Sequence, residues 1–326
     1  MGKQRFFFIG IICMLMGVLF PIDAAAKYLG NGRELADLML LPESGSWWGE
    51  TLLPYSKERA KQSNAVYTVA TSERSRLPYV QSLGYAFLER YSITVKESFY
   101  FYDQSRVQHG ASVGGELKVY KYSGFSDPEF HVKKRLTATQ KEVYDLDLLF
   151  AYSPGIVVAR KATTTNVGSE GRGGDQISFG IDFGNKFKKE QWKGNLSYKF
   201  FQKQKLEDPN RQEQITTSRH YTLAANIYVQ VKIRHDFWNR WHFGLEYLDK
   251  EYSRSSRGGN ASVVSRQRIT LGVMPILLTK SARVNLFSKC NLLWTTPHKV
   301  SDSDGSKIHY SNLFAYQIEF GLSYIL

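Results

Sequence analysis

The chain has 326 residues, a formal net charge of +13 and an aromatic content of 14%, with Tyr and Phe contributing 20 residues each. Beyond residue 26 no run approaches 18 apolar residues, which excludes a helical membrane protein. A single cysteine, Cys290, remains in that part, which excludes an intramolecular disulfide. The cations are scattered among acids with no Lys/Arg block, so nucleic acid is not an expected partner.

Lys3 and Arg5 precede the apolar run "FFFIGIICMLMGVLF" (6–20), and Pro21 with "DAAA" places small residues before a cut after Ala26. Residues 1–26 therefore read as a secretory signal peptide. Residues 27–61 do not alternate and form an N-terminal periplasmic or luminal segment. Within it "GRELADLMLLP" (32–42) reads as a short amphipathic helix ended by Pro42, serving either as a luminal plug or as a periplasmic extension.

From residue 62 the sequence reads as strands near 62–72, 79–89, 91–103, 127–140, 143–160, 174–188, 190–204, 217–233, 238–253, 261–277, 281–297 and 309–326. In "DQISFGIDFGNKF" (175–187) Ile177, Phe179, Ile181 and Phe183 share one face, and Ser178, Gly180, Asp182 and Gly184 share the other. Short turns near 89–91, 140–142, 188–191, 235–239 and 279–281 alternate with long polar stretches at 104–126, 161–173, 205–216, 254–260 and 298–308. Short periplasmic turns and long outer loops are the signature of a transmembrane barrel. The fold expected is all-β: a closed antiparallel transmembrane β-barrel over 62–326, of about twelve strands, in the Gram-negative outer membrane.

The chain ends on the strand "NLFAYQIEFGLSYIL". Phe314, Tyr316, Ile318, Phe320, Leu322, Tyr324 and Leu326 share its apolar face, with Gln317 and Glu319 opposite. It pairs with the first strand to close the barrel and turns its aromatic face to lipid. Outer-membrane barrels in general carry such a terminal strand as an assembly signal, so this one resembles a signal for the barrel-assembly machinery, ending in Leu326 where Phe or Trp is usual. Trp192, Trp238 and Trp241 beside short turns, and Trp294 at the other end, read as two aromatic girdles.

"SGFSDPEFHVKKRL" (123–136) resembles the glycine–aspartate–proline turn and following strand of a family named for the meta-cleavage pathway of phenol degradation. "LGYAFLERYSITVKESFYFY" (83–102) is similar to that family's short-turn hairpin, and "GRGGDQISFGIDFGNKF" (171–187) with "WKGNLSYKFF" (192–201) to its later loop and strand pair. The resemblance spans roughly 80–205 and implies an outer-membrane transporter without catalytic residues.

No phosphate loop, His-Glu-x-x-His pair or paired CxxC occurs, so no cofactor, metal site or enzymatic activity is expected. Ser218 with His220, and His131 and His242, are the residues a hydrolytic site would start from. With polar faces inward, the pore-lining candidates are Lys133, Arg135, Asp145, Asp182, Lys199, Glu246, Arg266, Arg268, Lys289 and Glu319. Arg266 and Arg268 point the same way and form either a cationic constriction or ion pairs with Glu246 or Glu319. The function expected is a narrow or gated channel for small solutes, anionic or aromatic. The alternative is a non-conducting structural or surface-interaction barrel.

Overall fold

The computed structural model describes residues 36, 38–64, 68–88, 90–111, 114–137, 144–185, 189–208, 213–219, 221–255, 259–279, 284–301 and 306–325. The signal region, His220 and Leu326 lie outside them. Twelve antiparallel strands close into one barrel. They are β1 (Trp47–Ser63), β2 (Thr68–Phe87), β3 (Tyr91–His109) and β4 (Leu117–Phe125 continued by Glu129–Arg135). Next come β5 (Tyr144–Ser153), β6 (Gln176–Asn185), β7 (Glu190–Phe201 with Gln204–Asp208) and β8 (Glu213–Arg219 with Tyr221–Arg234). The last four are β9 (Phe237–Leu248 with Glu251–Ser255), β10 (Asn260–Val263 with Arg266–Leu278), β11 (Val284–Thr295 with His298–Ser301) and β12 (Lys307–Ile325). β12 pairs with β1 from Trp48↔Ile325 to Ser63↔His309, so the last strand closes the wall against the first.

Two environments act on each strand, and the side chains sort accordingly. Outward stand Phe150, Phe179, Ile181, Leu196, Ile227, Phe243, Leu271, Leu292, Ile318 and Phe320, all exposed in the isolated chain. Inward stand Asp145, Asp147, Asp182, Gln230, Asn285, Asn291 and Glu319, all buried. A polar interior behind an apolar exterior is the inverse of a water-soluble fold, and the outer belt is a lipid face. The chain is a barrel of the bacterial outer membrane. Trp241 and Trp294 lie on this belt, whereas Trp238 faces inward and is fully buried, packed with Ala36, Ile276, Leu278 and Phe287. Trp238 therefore belongs to the inner packing and not to a girdle.

The first strand begins at Trp47 rather than near 62, and the second runs through 73–78, the interval between the expected strands 62–72 and 79–89. Both departures have one cause. The outward row of β1 includes Gly49, Thr51, Lys57 and Arg59, so its apolar alternation is faint. In 73–78 the charges of Arg74 and Arg76 are turned inward onto Asp103. The long outer stretches also differ from expectation, because the strands continue into them. β7 reaches Asp208 and β8 starts at Glu213; β9 reaches Ser255 and β10 starts at Asn260. What marks these stretches in the sequence is their polarity, since they are strand that has left the lipid.

The wall is irregular over β1–β4. The β1–β2 ladder passes from Leu52↔Val80 to Ser56↔Arg76, and Pro54 and Pro78 stand opposite each other in the interval. Neither proline has an N–H to give to a ladder. β2 and β3 shift register between Leu77 and Pro78, and β4 is interrupted at 126–128. β5 and β6 are short, ten residues each. The connection 154–175 fills the wall above them. Its Ala159–Arg160 pairs in parallel with Leu206–Glu207 of β7, and its Gly168–Ser169 pairs in parallel with Tyr122–Ser123 of β4.

Asp127, in the break of β4, anchors that connection. Its Oδ1 accepts from Val157 N at 2.6 Å and its Oδ2 from Arg172 N at 2.7 Å, so one buried carboxylate ties both ends. The glycines of "GRGGD" permit the approach. Gly173 has φ +70°, and a Cβ there would meet the carbonyl of Lys205 at 2.1 Å.

Candidate functional site in the lumen

Alternation on twelve strands points every second residue into the barrel, and the narrow interior brings those side chains together. All ten pore-lining candidates lie on inward positions. They do not form one cluster but fall into levels along the axis.

At the end of the barrel carrying the Asn185–Glu190 and Arg234–Phe237 connections, the lumen is covered by Ala36, Leu38 and Met39. These residues sit in turns, and no helix is assigned to the described part of 32–42. Their backbone groups are satisfied by the barrel instead. Gln230 Nε2 donates to Ala36 O at 2.8 Å and Arg240 Nη2 to the same oxygen at 3.0 Å. Leu38 N donates to Gln191 Oε1 at 2.9 Å, and Arg135 Nη2 donates to Met39 O.

Beside this cover, Arg135 lies between two carboxylates, with Nη1 3.0 Å from Asp145 and Nε 2.7 Å from Asp147. Lys133 lies 3.6 Å from Asp147 and 4.0 Å from Asp182. Asp182 in turn takes Lys193 at 2.7 Å and Asn195 at 2.6 Å. Burying this many charges is tolerable because each is paired and hydrogen-bonded. The set fills its side of the lumen as a packed ionic layer.

Next to it, on the β7–β12 side, is a cavity of about 240 Å³. Lys193, Arg240 and Lys289 supply its cations, and Glu50 and Glu319 its acids. Lys289 and Glu319 are cross-strand partners. Tyr228 and His242 stack in its wall with ring centroids 4.5 Å apart, and His242 Nε2 lies 2.9 Å from Asn226 Oδ1.

Further toward the opposite end, Arg268 reaches Glu246 at 3.2 Å and Arg266 reaches Glu251 at 3.8 Å. The two arginines are thus ion-paired to β9, not to Glu319. Register decides this, since Glu246 and Arg268 are direct cross-strand partners. Lys199 lies in the field of Glu129, Arg172 and Glu246. Arg172 of the 154–175 connection is ion-paired to Glu129, so part of that connection folds into the lumen. A second, outer cavity of about 630 Å³ is lined by Lys203, Arg254, Thr216, Ser218, Tyr252 and Ser262 among others. Glu251 points inward to Arg266, so Tyr252 and Arg254, with their cross-strand partners Ser218 and Thr216, face the outside of the wall, and this cavity is not part of the lumen. Its lining contains no carboxylate.

Among the charged and aromatic residues of the inner cavity, Glu50, Lys193, Tyr228 and Arg240 escape the sequence reading. Glu50 falls on a strand not recognised as one. The parity that selects Lys199 and Glu246 also selects Lys193 and Arg240, so that signal was present. Of the hydrolytic candidates, Ser218 lines the outer cavity, His131 lies 3.3 Å from Glu129, and His242 is engaged with Asn226. Among the described residues no group of three or more His, Cys, Asp or Glu is placed to hold a metal ion.

No family model and no curated protein matches the sequence. Similarity to solved structures is in fold alone. The COG4313 outer membrane channel from Pseudomonas putida F1 superposes with a TM-score of 0.57 at 9% identity, over 92% of this chain and 100% of that one. A Pseudomonas aeruginosa FadL homologue gives 0.45 at 9% identity, over 86% of this chain and 90% of that one. The outer membrane protease OmpT from Escherichia coli gives 0.37 at 9% identity, over 88% and 99%. The chain is an outer-membrane barrel with the architecture of the Pseudomonas putida channel.

Proposed function

We propose that this barrel is a narrow, gated channel for small anionic solutes, which descend along its β7–β12 side. One observation carries this: cations outnumber acids in the luminal cavity on that side. It sets Lys193, Arg240 and Lys289 against Glu50 and Glu319. Lumen charge of one sign raises the local concentration of the opposite solute. The Tyr228–His242 stack adds a flat face suited to a solute that carries a ring. The Ala36–Met39 cover closes the far end and is the gate in this scheme. Resemblance to the meta-cleavage family's transporters agrees with it. The terminal strand serves assembly by the barrel-assembly machinery, and lipid and a small solute are the partners.

Planar-bilayer recording under a KCl gradient tests the proposal. Anion-selective currents are expected, and Lys193→Gln with Lys289→Gln should move the reversal potential toward the cation side. A reconstituted barrel that conducts nothing across salts and voltages would instead favour the non-conducting structural role. The packed ionic layer around Arg135 is the observation on that side.

A further inference from the structure

The outer part of the β7–β11 wall does not keep the facing of the part below it. β7 and β9–β11 each break for two residues, at 202–203, 249–250, 264–265 and 296–297. Across the break on β10 and β11, Val264 N donates to Lys299 O and Thr296 N donates to Gln267 O. These bonds are three residues apart, whereas an unbroken antiparallel ladder repeats its hydrogen-bonded pairs every two. The odd interval turns the following side chains to the other face. Burial and ion pairs agree. On β7 the inward positions are odd below the break, as at Lys193, and even above it, where Asp208 is buried and takes Lys161 at 3.0 Å. On β9 they are even below, as at Glu246, and odd above, where Glu251 reaches Arg266.

The turnover puts a polar face on the outside of the wall. Ser218, Tyr252 and Ser262 form one cross-strand row, and Thr216 and Arg254 lie in the next. With Lys203 they line the outer cavity of about 630 Å³, a groove whose charged members, Lys203 and Arg254, are both cations. Of the nearby acids, Glu207 is ion-paired to Arg160 at 3.5 Å, and Asp249 accepts from Ser265 Oγ at 3.5 Å. The height of the groove is set by tyrosines beneath it. Tyr198 and Tyr221 stack with ring centroids 5.6 Å apart, and Tyr247 follows at 6.0 Å from Tyr221. Such a row on the lipid face marks the boundary between hydrocarbon and headgroups. Ser218 is three residues beyond Tyr221, about 10 Å of strand. The groove therefore stands at the level of the outer-leaflet headgroups.

We propose that this groove is a docking site for the phosphorylated headgroup of an outer-leaflet glycolipid. Lys203 and Arg254 hold a phosphate, Arg254 through its planar fork and Lys203 as a point charge. The hydroxyls of Thr216, Ser218 and Ser262 donate to phosphate or sugar oxygens around them. Tyr252 offers the sugar a flat apolar face, and Lys250 steadies that ring with Nζ 4.7 Å from its centroid. A free phosphate has the same charge, but the position directly above the tyrosines commits the groove to a lipid, whose acyl chains descend over the belt below. The site is on the outside of the wall and does not depend on what passes through the lumen.

Native mass spectrometry of the full-length barrel in detergent, titrated with bisphosphorylated lipid A, tests this. Retention of lipid A is expected, and Lys203→Gln with Arg254→Gln should raise its Kd about tenfold or more. Lipid A stripped of both phosphates should bind the wild type no better than that variant binds the intact lipid. Ser262→Trp fills the groove without touching its charge and should weaken binding likewise. Arg106→Gln with Lys121→Gln removes the same charge from exposed positions on the outer parts of β3 and β4, and should leave the Kd unchanged. Heat-modifiable mobility on gels reports that each variant is a folded barrel. An equal loss in the Arg106 and Lys121 variant would reduce the effect to net charge. A Kd indifferent to phosphate removal would leave no phosphate to recognise, and displacement of lipid A by inorganic phosphate at equal concentration would assign the groove to free anions. Each of these three results overturns the proposal.

Discussion

The two sides of the barrel are built differently. β7–β11 are long and each is interrupted once near the outer rim of the lipid belt, yet their ladders resume in the same register beyond it, as Phe200↔Tyr221 and Gln204↔Thr217 show. β1–β6 carry facing prolines, a register shift, the 126–128 break, two short strands and an inserted connection. The inner cavity lies along β7–β12 with only Glu50 and Leu38 from elsewhere. The fully buried ion pairs of Arg135 with Asp145 and Asp147, and the half-buried Arg74 on the buried Asp103, lie on the other side. A regular wall leaves room beside it. The irregular wall turns its interior into packing, and its charges hold inserted segments in place.

If that contrast is right, charge removal should be costly on one side and mild on the other. Arg135→Met leaves Asp145 and Asp147 buried together and should cost about 3–5 kcal/mol, because one partner of a buried pair is lost. Arg268→Met, on the open side, should cost about 1 kcal/mol or less while changing ion selectivity. Urea unfolding of vesicle-embedded barrels, followed by Trp fluorescence, compares the two. Equal costs would break the distinction.

Asp127→Ala is the next largest effect. It removes a buried acceptor from two backbone N–H groups and should cost about 2–3 kcal/mol. The loss should be local. In intact vesicles trypsin should then cut at Arg160, Lys161 or Arg172, sites expected to resist it in the native barrel. Uncut barrels of the variant would show that the parallel bridges alone hold the connection.

The smallest effect sharpens the comparison from outside. Glu97 sits on the outward face of β3 between Val95 and Phe99, opposite Gln81. A carboxyl on a lipid face is destabilising in a depth-dependent way, so Glu97→Leu should stabilise the barrel by about 1 kcal/mol. The same vesicle unfolding assay reads it, and a loss of stability would mean that the irregular side has a partner for Glu97.

The barrel was legible because lipid outside and water inside force a period of two on each regular strand. β6, β7 and β10 show this cleanly, and the closing strand shows it best. Illegible were the places where strands do something else. β1 carries polar groups on its outward row, Trp238 trades the girdle for the inner packing, and 154–175 builds wall without building a full strand. The lumen candidates followed from parity alone. Their grouping did not, because who meets whom depends on register and shear, as with Arg268 and Glu246.

The outward continuation of the strands changes what the cell surface presents. Beyond the lipid, between β7 and β11, the chain stands as a palisade of paired strands whose connections are as brief as that from Asp208 to Glu213. An antibody or a phage landing there meets sheet and not slack chain. Each residue it touches has a cross-strand neighbour, as Thr216 has Arg254, so a substitution that evades recognition must also suit the residue beside it.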